Sequence, residues 1–375
     1  MSSRANGRMA AHDDRVPEVL ELGAAPGFPI VAEIAVRNGP ISGIATSPDG
    51  TRVLVTNYGR DSVSVIDTDT CRVVHTIAGL GEPFAIAMGS EDAERAYVST
   101  VSTAYDSIAV IDVPTYTVVA THPLALSVGD LAVSPDGRHV YTSRNGARGA
   151  DVAALDTATG EVEALEVATA PGNTTACVRV SPDGARLYVG ANGPTGGRLV
   201  VIGTRGRSRS KAGQAGLRVV GTIDIGLPVR DVALSPNGAV AYVASCEPEL
   251  GAVVDVVDTA TNKIVGTRKL GEIGGVLTGL TLSRDGDRAY LVSDDGIAVL
   301  CTLTHDVVGT VTVTDQPSCM VESPDAKYLY IADYSGAVTV AAVASIVALG
   351  TESTAPETQV PTDWVTPELL QPALA

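Results

Sequence analysis

Aromatic side chains are scarce in this chain of 375 residues: Phe, Tyr and Trp make up 4% of it, although hydrophobic residues as a whole reach 45%. Val, Ala, Leu and Ile must therefore fill the core, a usage that suits many short strands joined by tight turns. Long apolar runs are missing too. No stretch approaches the roughly 18 uninterrupted apolar residues of a membrane-spanning helix, so no membrane insertion is expected. Positive charge is short: 26 Lys and Arg stand against 43 Asp and Glu, for a formal net charge of -17. A field of that sign works against coating duplex nucleic acid or an anionic membrane, both of which need a cationic surface. A local basic patch is still compatible with it.

Cysteine and histidine are thin as well. The five cysteines, Cys71, Cys177, Cys246, Cys301 and Cys319, are an odd number without a CxxC pair or zinc-like spacing, in a chain too large to need disulfide staples. They read as buried free thiols of a reducing compartment. The N-terminal segment carries early arginines but no apolar h-region followed by a cleavage site, and the expectation is a cytoplasmic, monomeric protein. GxSxG, HExxH and phosphate-binding GxxxxGK[ST] strings are all absent.

What is present is a repeat. SPDG or a near relative starts at Ser47, Ser90, Ser134, Ser181, Ser235, Ser283 and Ser323, at intervals of 40 to 54 residues, which is the length of a propeller blade. In the first copy Ile41 to Thr46 reads as strand A, SPDG as the turn, Arg52 to Asn57 as strand B, Ser62 to Asp67 as strand C and Val73 to Ile77 as strand D. Four strands per repeat make one blade. In the turn, Pro presets its dihedral, Asp bonds back to the backbone, and Gly accepts a positive φ. Ala93 and Ala326 stand where the other five copies have Gly, and strain or a different turn is expected there. DTDT at Asp67 and DTAT at Asp156 and Asp258 read as hairpin caps rather than as catalytic aspartates.

The strings VLVTNYGRDSVSVIDTDTCRVVHTI and AYVASCEPELGAVVDVVDTATNKIVGT resemble the YVTN repeat family, and the resemblance runs from about residue 28 to 347. It is weakest in the sixth and seventh copies, where VLCT and VAAV replace VIDT. The expected fold is all-β: a seven-bladed β-propeller over residues 28–350, between a leader (1–27) and a Pro/Thr/acid-rich tail (351–375). The seventh copy runs out before a strand D, while Pro29 to Val36 carries the outer-strand pattern. The N-terminal strand is therefore expected to close the ring, with Ser345 to Gly350 as the rival.

In a propeller the B-to-C and D-to-A loops open on one face and the SPDG and DTxT turns on the other. The turns repeat, whereas the B-to-C loops differ in every copy, and variable loops on a rigid scaffold are where binding resides. Arg60, Arg144, Arg148, Arg198, Arg230, Glu249, Asp294 and Asp333 are the candidate ligand-binding residues. Arginines gather on blades three and four, with Arg230 next to them. Acids (Glu247, Glu249, Asp294, Asp295, Asp315, Asp333) gather on blades five to seven. A basic insertion with Arg205, Arg207, Arg209 and Lys211 falls on the turn side of blade four and reads as a solvated loop.

No histidine falls in a variable loop: His12 is in the leader, His75 and His122 fall in outer strands, and His139 and His305 lie near the turns. A His-ligated metal or His base is not expected there, and no cofactor is implied. The leading reading is a non-catalytic scaffold that binds a protein, peptide or nucleic-acid partner on the variable-loop face. The alternative is a lactonase-like hydrolase with a carboxylate-ligated Ca or Mg ion.

Overall fold

The computed structural model describes residues 27–89, 94–102, 105–125, 127–204, 216–247, 251–271, 273–313 and 315–343. They all fall in one compact unit, Met1–Ala344, and the second unit, Ser345–Ala375, lies outside them. So do the leader, Ala93, Glu249, the basic side chains of the blade-four insertion and the rival closing segment at 345–350.

The described chain folds into seven four-stranded antiparallel sheets. In blade one, strands A, B and C occupy the expected residues, and strand D runs Arg72–Ala78. Burial follows the order of strands within a blade. Strand B of blade one is buried along almost its whole length, whereas its strand D is mostly exposed, with Val73 half-buried and Ile77 buried. Seven apolar clusters result, and each straddles two neighbouring blades. One joins Leu54 and Val65 of blade one to Val98 and Ile111 of blade two, and another joins Tyr330 of blade seven to Val55 of blade one. Val, Ile, Leu and Ala make up most of each cluster, and six of the seven add a buried aromatic ring, Tyr188 and Tyr290 among them.

The closing strand is Ile30–Ala35, paired antiparallel with Ala337–Ala342 of blade seven. Blade seven thus takes three strands from the end of the propeller and one from its beginning. The pairing removes the sheet edge that an open ring would expose.

Six of the seven inner strands carry a register shift against strand B, for example between Val229 and Asp231 and between Val128 and Asp130. A bulge leaves one residue unpaired and re-aims it. The skipped residues are Ser42, Gly129, Ala176, Arg230, Thr278 and Ser318, and all six line the central channel. Arg230 is the one charged member of that ring.

Candidate functional site

On the turn face the polar groups serve the fold. Ser47 Oγ donates to Asp49 Oδ1 at 2.5 Å and accepts from Arg52 N at 2.9 Å, while Thr51 N donates to Asp49 Oδ1 at 3.0 Å. The same pattern recurs at Ser134/Asp136, Ser283/Asp285 and Ser323/Asp325. These bonds favour the carboxylate form. The Ser47 hydroxyl first, opposed by burial, lowers the Asp49 pKa, and Ser323 with Lys327 brings Asp325 down to about 2. In the DTxT turns Asp67 Oδ1 accepts from Thr70 N at 2.9 Å, and Thr68 Oγ1 reaches Gly50 O at 2.8 Å. The aspartates of both turns are caps, as their repetition implied. Ala326 holds φ at +58°, the left-handed conformation that the turn imposes on its glycines.

The variable-loop face is less uniform. Arg144 is 6% exposed, and its Nε and Nη2 donate to Asp151 Oδ1 and Oδ2 at 2.7 and 2.9 Å. The pair sits face to face across the hairpin that Gly146 and Gly149 close. Asp333 is 6% exposed and accepts from Ser335 Oγ (2.8 Å) and Ala337 N (2.9 Å), and Asp294 accepts from Val276 N at 2.6 Å. Arg144 and Asp333 are committed within their own hairpins, and Asp294 ties its loop to the segment that leads into strand A of the same blade. Arg198 is 55% exposed and pairs with exposed Asp224 at 3.2 Å. Arg60 closes a short 3-10 turn and is exposed, as is Arg148. Arg230 is exposed too, with Nε 3.2 Å from Cys246 Sγ. Among the described residues, Arg60, Arg148 and Arg230 have no carboxylate within ion-pair distance.

Arg230 differs from the other two in lining a cavity of about 540 Å³ in the central channel. Phe84 and Tyr334 stand at its loop-face end, and Asp130, Arg179 and Asp231 line its wall. Arg179 Nη1 donates to Asp130 Oδ2 at 2.5 Å and Nη2 to Asp231 Oδ1 at 2.6 Å. Asp130 also accepts from Leu131 N and Val178 N, both at 2.9 Å. Asp231 also accepts from Val232 N (2.7 Å) and Leu280 N (2.8 Å). One ionic triad thereby ties together the inner strands of blades three to six. Burial works against the Arg179 charge, but Asp130 and Asp231 outweigh it, so the guanidinium holds its proton more firmly than in water. Burial likewise pushes the Cys177 thiol beside it well up, which makes it a poor nucleophile.

Arg179, Asp130 and Asp231 were not among the candidates read from the sequence, yet a signal was present. Four residues before the turn serine, the repeats carry Gly43, Cys177, Gly279 and Cys319, but Asp130 and Asp231 in blades three and five. Two residues before it, Ala45, Ala132 and Ala233 contrast with Arg179. Charges at positions that are small or apolar in the other repeats mark the channel. As for the acids of blades five to seven, among the described residues no group of three His, Cys, Asp or Glu side chains could hold a metal ion.

Seven blades around a ligand-sized channel define the chain as a seven-bladed β-propeller. Over 391 aligned residues, covering 99% of both chains, it is 59% identical to the seven-bladed β-propeller protein Rv1057 of Mycobacterium tuberculosis, and it belongs to that protein's family. No family model matches the chain. Among solved structures, a chain of Kuenenia stuttgartiensis hydrazine synthase superposes with a TM-score of 0.69 at 21% identity, covering 86% of this chain and 99% of that one. At that identity the likeness speaks for the fold alone.

Proposed function

We propose that this protein is a non-catalytic binding scaffold of YVTN-repeat type that captures a protein or peptide partner on its variable-loop face. The observation that carries the reading is where its few aromatics are spent. Of the five exposed Tyr and Phe side chains among the described residues, Tyr58, Phe84, Tyr105 and Tyr334 belong to loops of that face, and Tyr328 alone does not. Exposed aromatic rings cost solvation and are concentrated where proteins meet partners. Tyr58 and Phe84 pack edge to face with centroids 6.4 Å apart, which presets them for contact. They lie on blades seven, one and two, whereas Arg148, Arg198 and Arg230 lie on blades three to five, with Arg60 apart on blade one. An apolar sector beside a cationic one would orient a partner and speed its capture at low salt.

The test compares the proteins retained from a native cytosol by immobilised wild type, by Tyr58→Ala/Phe84→Ala and by Lys327→Ala on the turn face. The loop-face variant should lose the specific partner and the turn-face variant keep it. Equal retention by all three overturns the reading.

A further inference from the structure

We propose that the outer edge of blade three is a second docking surface, where an extended, basic segment of a partner protein adds as one further strand. This surface lies on the rim of the propeller, apart from the loop face, and does not depend on what that face binds.

Among the described residues each blade ends in an outer strand with no strand beyond it. Unpaired N–H and C=O groups along such an edge invite another chain, and proteins blunt them. Six of the seven edges are blunted alike. Within its first three residues strand D skips one against strand C, which leaves Val31, Val74, Val119, Val220, Val265 and Val308 unpaired. A bulge of this kind bends the strand and breaks its ladder. Blade two adds Pro123 to its edge, and blade five adds Lys263, Arg268 and Lys269, both further means of discouraging a neighbour.

Blade three is built differently. Its outer strand, Val162–Ala168, pairs with strand C without a shift from Val162 to Glu166, and the skipped residue, Val167, falls at the far end. Asp156 N donates to Glu161 O at 2.9 Å, and bonding alternates along an antiparallel strand. Glu163 and Leu165 therefore spend their backbone groups on strand C, while those of Val162, Ala164 and Glu166 point away from the blade. All three of these residues are exposed.

The side chains decide what fits. Glu161, Glu163 and Glu166 make the segment acidic, and no basic residue stands in it from 161 to 168. Successive side chains point to opposite faces of a sheet, so Glu163 and Glu166 stand on opposite faces. An added strand meets a carboxylate on each face when its own basic residues are likewise separated by two others. Those two lie opposite Ala164 and Leu165, where β-branched residues pack well. Like charges directly opposite are destabilising, so the same edge of a second copy is refused.

Fluorescence anisotropy of the full chain with the labelled peptide TVKVVKVT and its acidic counterpart TVEVVEVT tests this. The basic peptide should bind, more weakly as salt is raised, and the acidic one should not. Glu163→Gln/Glu166→Gln should weaken the basic peptide by about fivefold, the scale of two exposed cross-strand ion pairs. Ala164→Pro removes an outward N–H and no bond of the blade, so the melting temperature should hold while peptide affinity falls by about tenfold. Should that variant not fold, the basic peptide methylated on the amide nitrogens of both central valines decides the same point with the wild type, since one of those amides must face the edge. Equal binding of the acidic and basic peptides, or undiminished binding by Ala164→Pro or of the methylated peptide, overturns the proposal. So does binding seen only in Arg205→Ser/Arg207→Ser/Arg209→Ser/Lys211→Ser, which would make the chain's own insertion the occupant. Tyr58→Ala/Phe84→Ala should bind the peptide as the wild type does; loss there would put the peptide on the loop face and overturn the rim surface. If the peptide fails while that variant still loses the partner, the rim surface falls and the scaffold reading stands.

Discussion

On the turn face each described SPDG carboxylate or carboxamide is spent within a few residues of itself, as Asp49 is on Ser47 and Thr51 and Asn237 on Ser235 and Ala239. On the loop face and in the channel the ionic side chains reach farther: Arg144 across a hairpin, Arg179 to blades on both sides, while among the described residues Arg60, Arg148 and Arg230 engage no carboxylate. The contrast separates two uses of charge. Short-range bonds repeated in the six described turns specify a turn, whereas charges left over after every local demand is met are available to a partner.

The sharpest way to break the comparison is to remove a partner from a pair that the loop face has consumed. Asp151→Ala strands the Arg144 guanidinium, 7% exposed, without its carboxylate, and should cost about 3–5 kcal/mol by chemical denaturation. Asp224→Ala, which frees the exposed Arg198, should cost about 0–1 kcal/mol. If the two losses are equal, Arg144 belongs with the free arginines. Replacing both members, Arg144→Met with Asp151→Leu, should recover most of the loss.

The turn face and the ring were legible because repetition exposes them: seven turn copies gave the blades, and the pattern of Pro29 to Val36 gave the closing strand. Individual loop charges were harder to read, because sign and blade were considered without register. Arg144 and Asp151 are mated by the closure of their hairpin at Gly146 and Gly149, so their spacing held the answer. Asp333 bonds a backbone group of its own loop and Asp294 one in the segment that leads into strand A of its blade, a competition that composition does not reveal. The channel triad joins residues 130, 179 and 231, whose meeting depends on the ring itself.

A smaller effect comes from the glycines of the turn face. Gly286 has φ +80°, and a Cβ there would stand 2.8 Å from Pro236 Cδ of the preceding turn. Ala326 holds the same kind of conformation at φ +58°, and the turn before it has Arg284 where most other copies have proline. The methyl of Ala326 is thus tolerated where the neighbouring proline is missing. Gly286→Ala should cost about 1–2 kcal/mol from the positive φ and the contact, while Ala326→Gly should change stability by about 0.5 kcal/mol or less, because relieved strain and added chain entropy oppose each other. Equal and opposite shifts in melting temperature would show that the preceding turn does not matter.

The smallest effect is also the most specific to the turn face. Asp49, Asp136, Asp285 and Asp325 have pKa values below the ordinary 3.8, led in each case by the hydroxyl of the turn serine, with Asp325 at about 2. A carboxyl whose folded pKa is depressed contributes stability above its unfolded pKa and loses it as the pH falls through the folded value. These turns should therefore weaken between about pH 4 and about pH 2. Asn237 occupies the same position, accepts from the same two groups, Ser235 Oγ at 2.8 Å and Ala239 N at 3.0 Å, and takes up no proton as the pH falls. Asn237→Asp should stabilise the protein at neutral pH by about 0.5 kcal/mol or less, since a partly exposed turn is screened by solvent. The gain should vanish as the pH falls to about 2. Melting temperatures of variant and wild type, measured side by side from about pH 6 to about pH 2, read the difference directly. A gain that persists unchanged into acid would mean that the charge of the turn aspartates is incidental and that their shape alone is what the turn face uses.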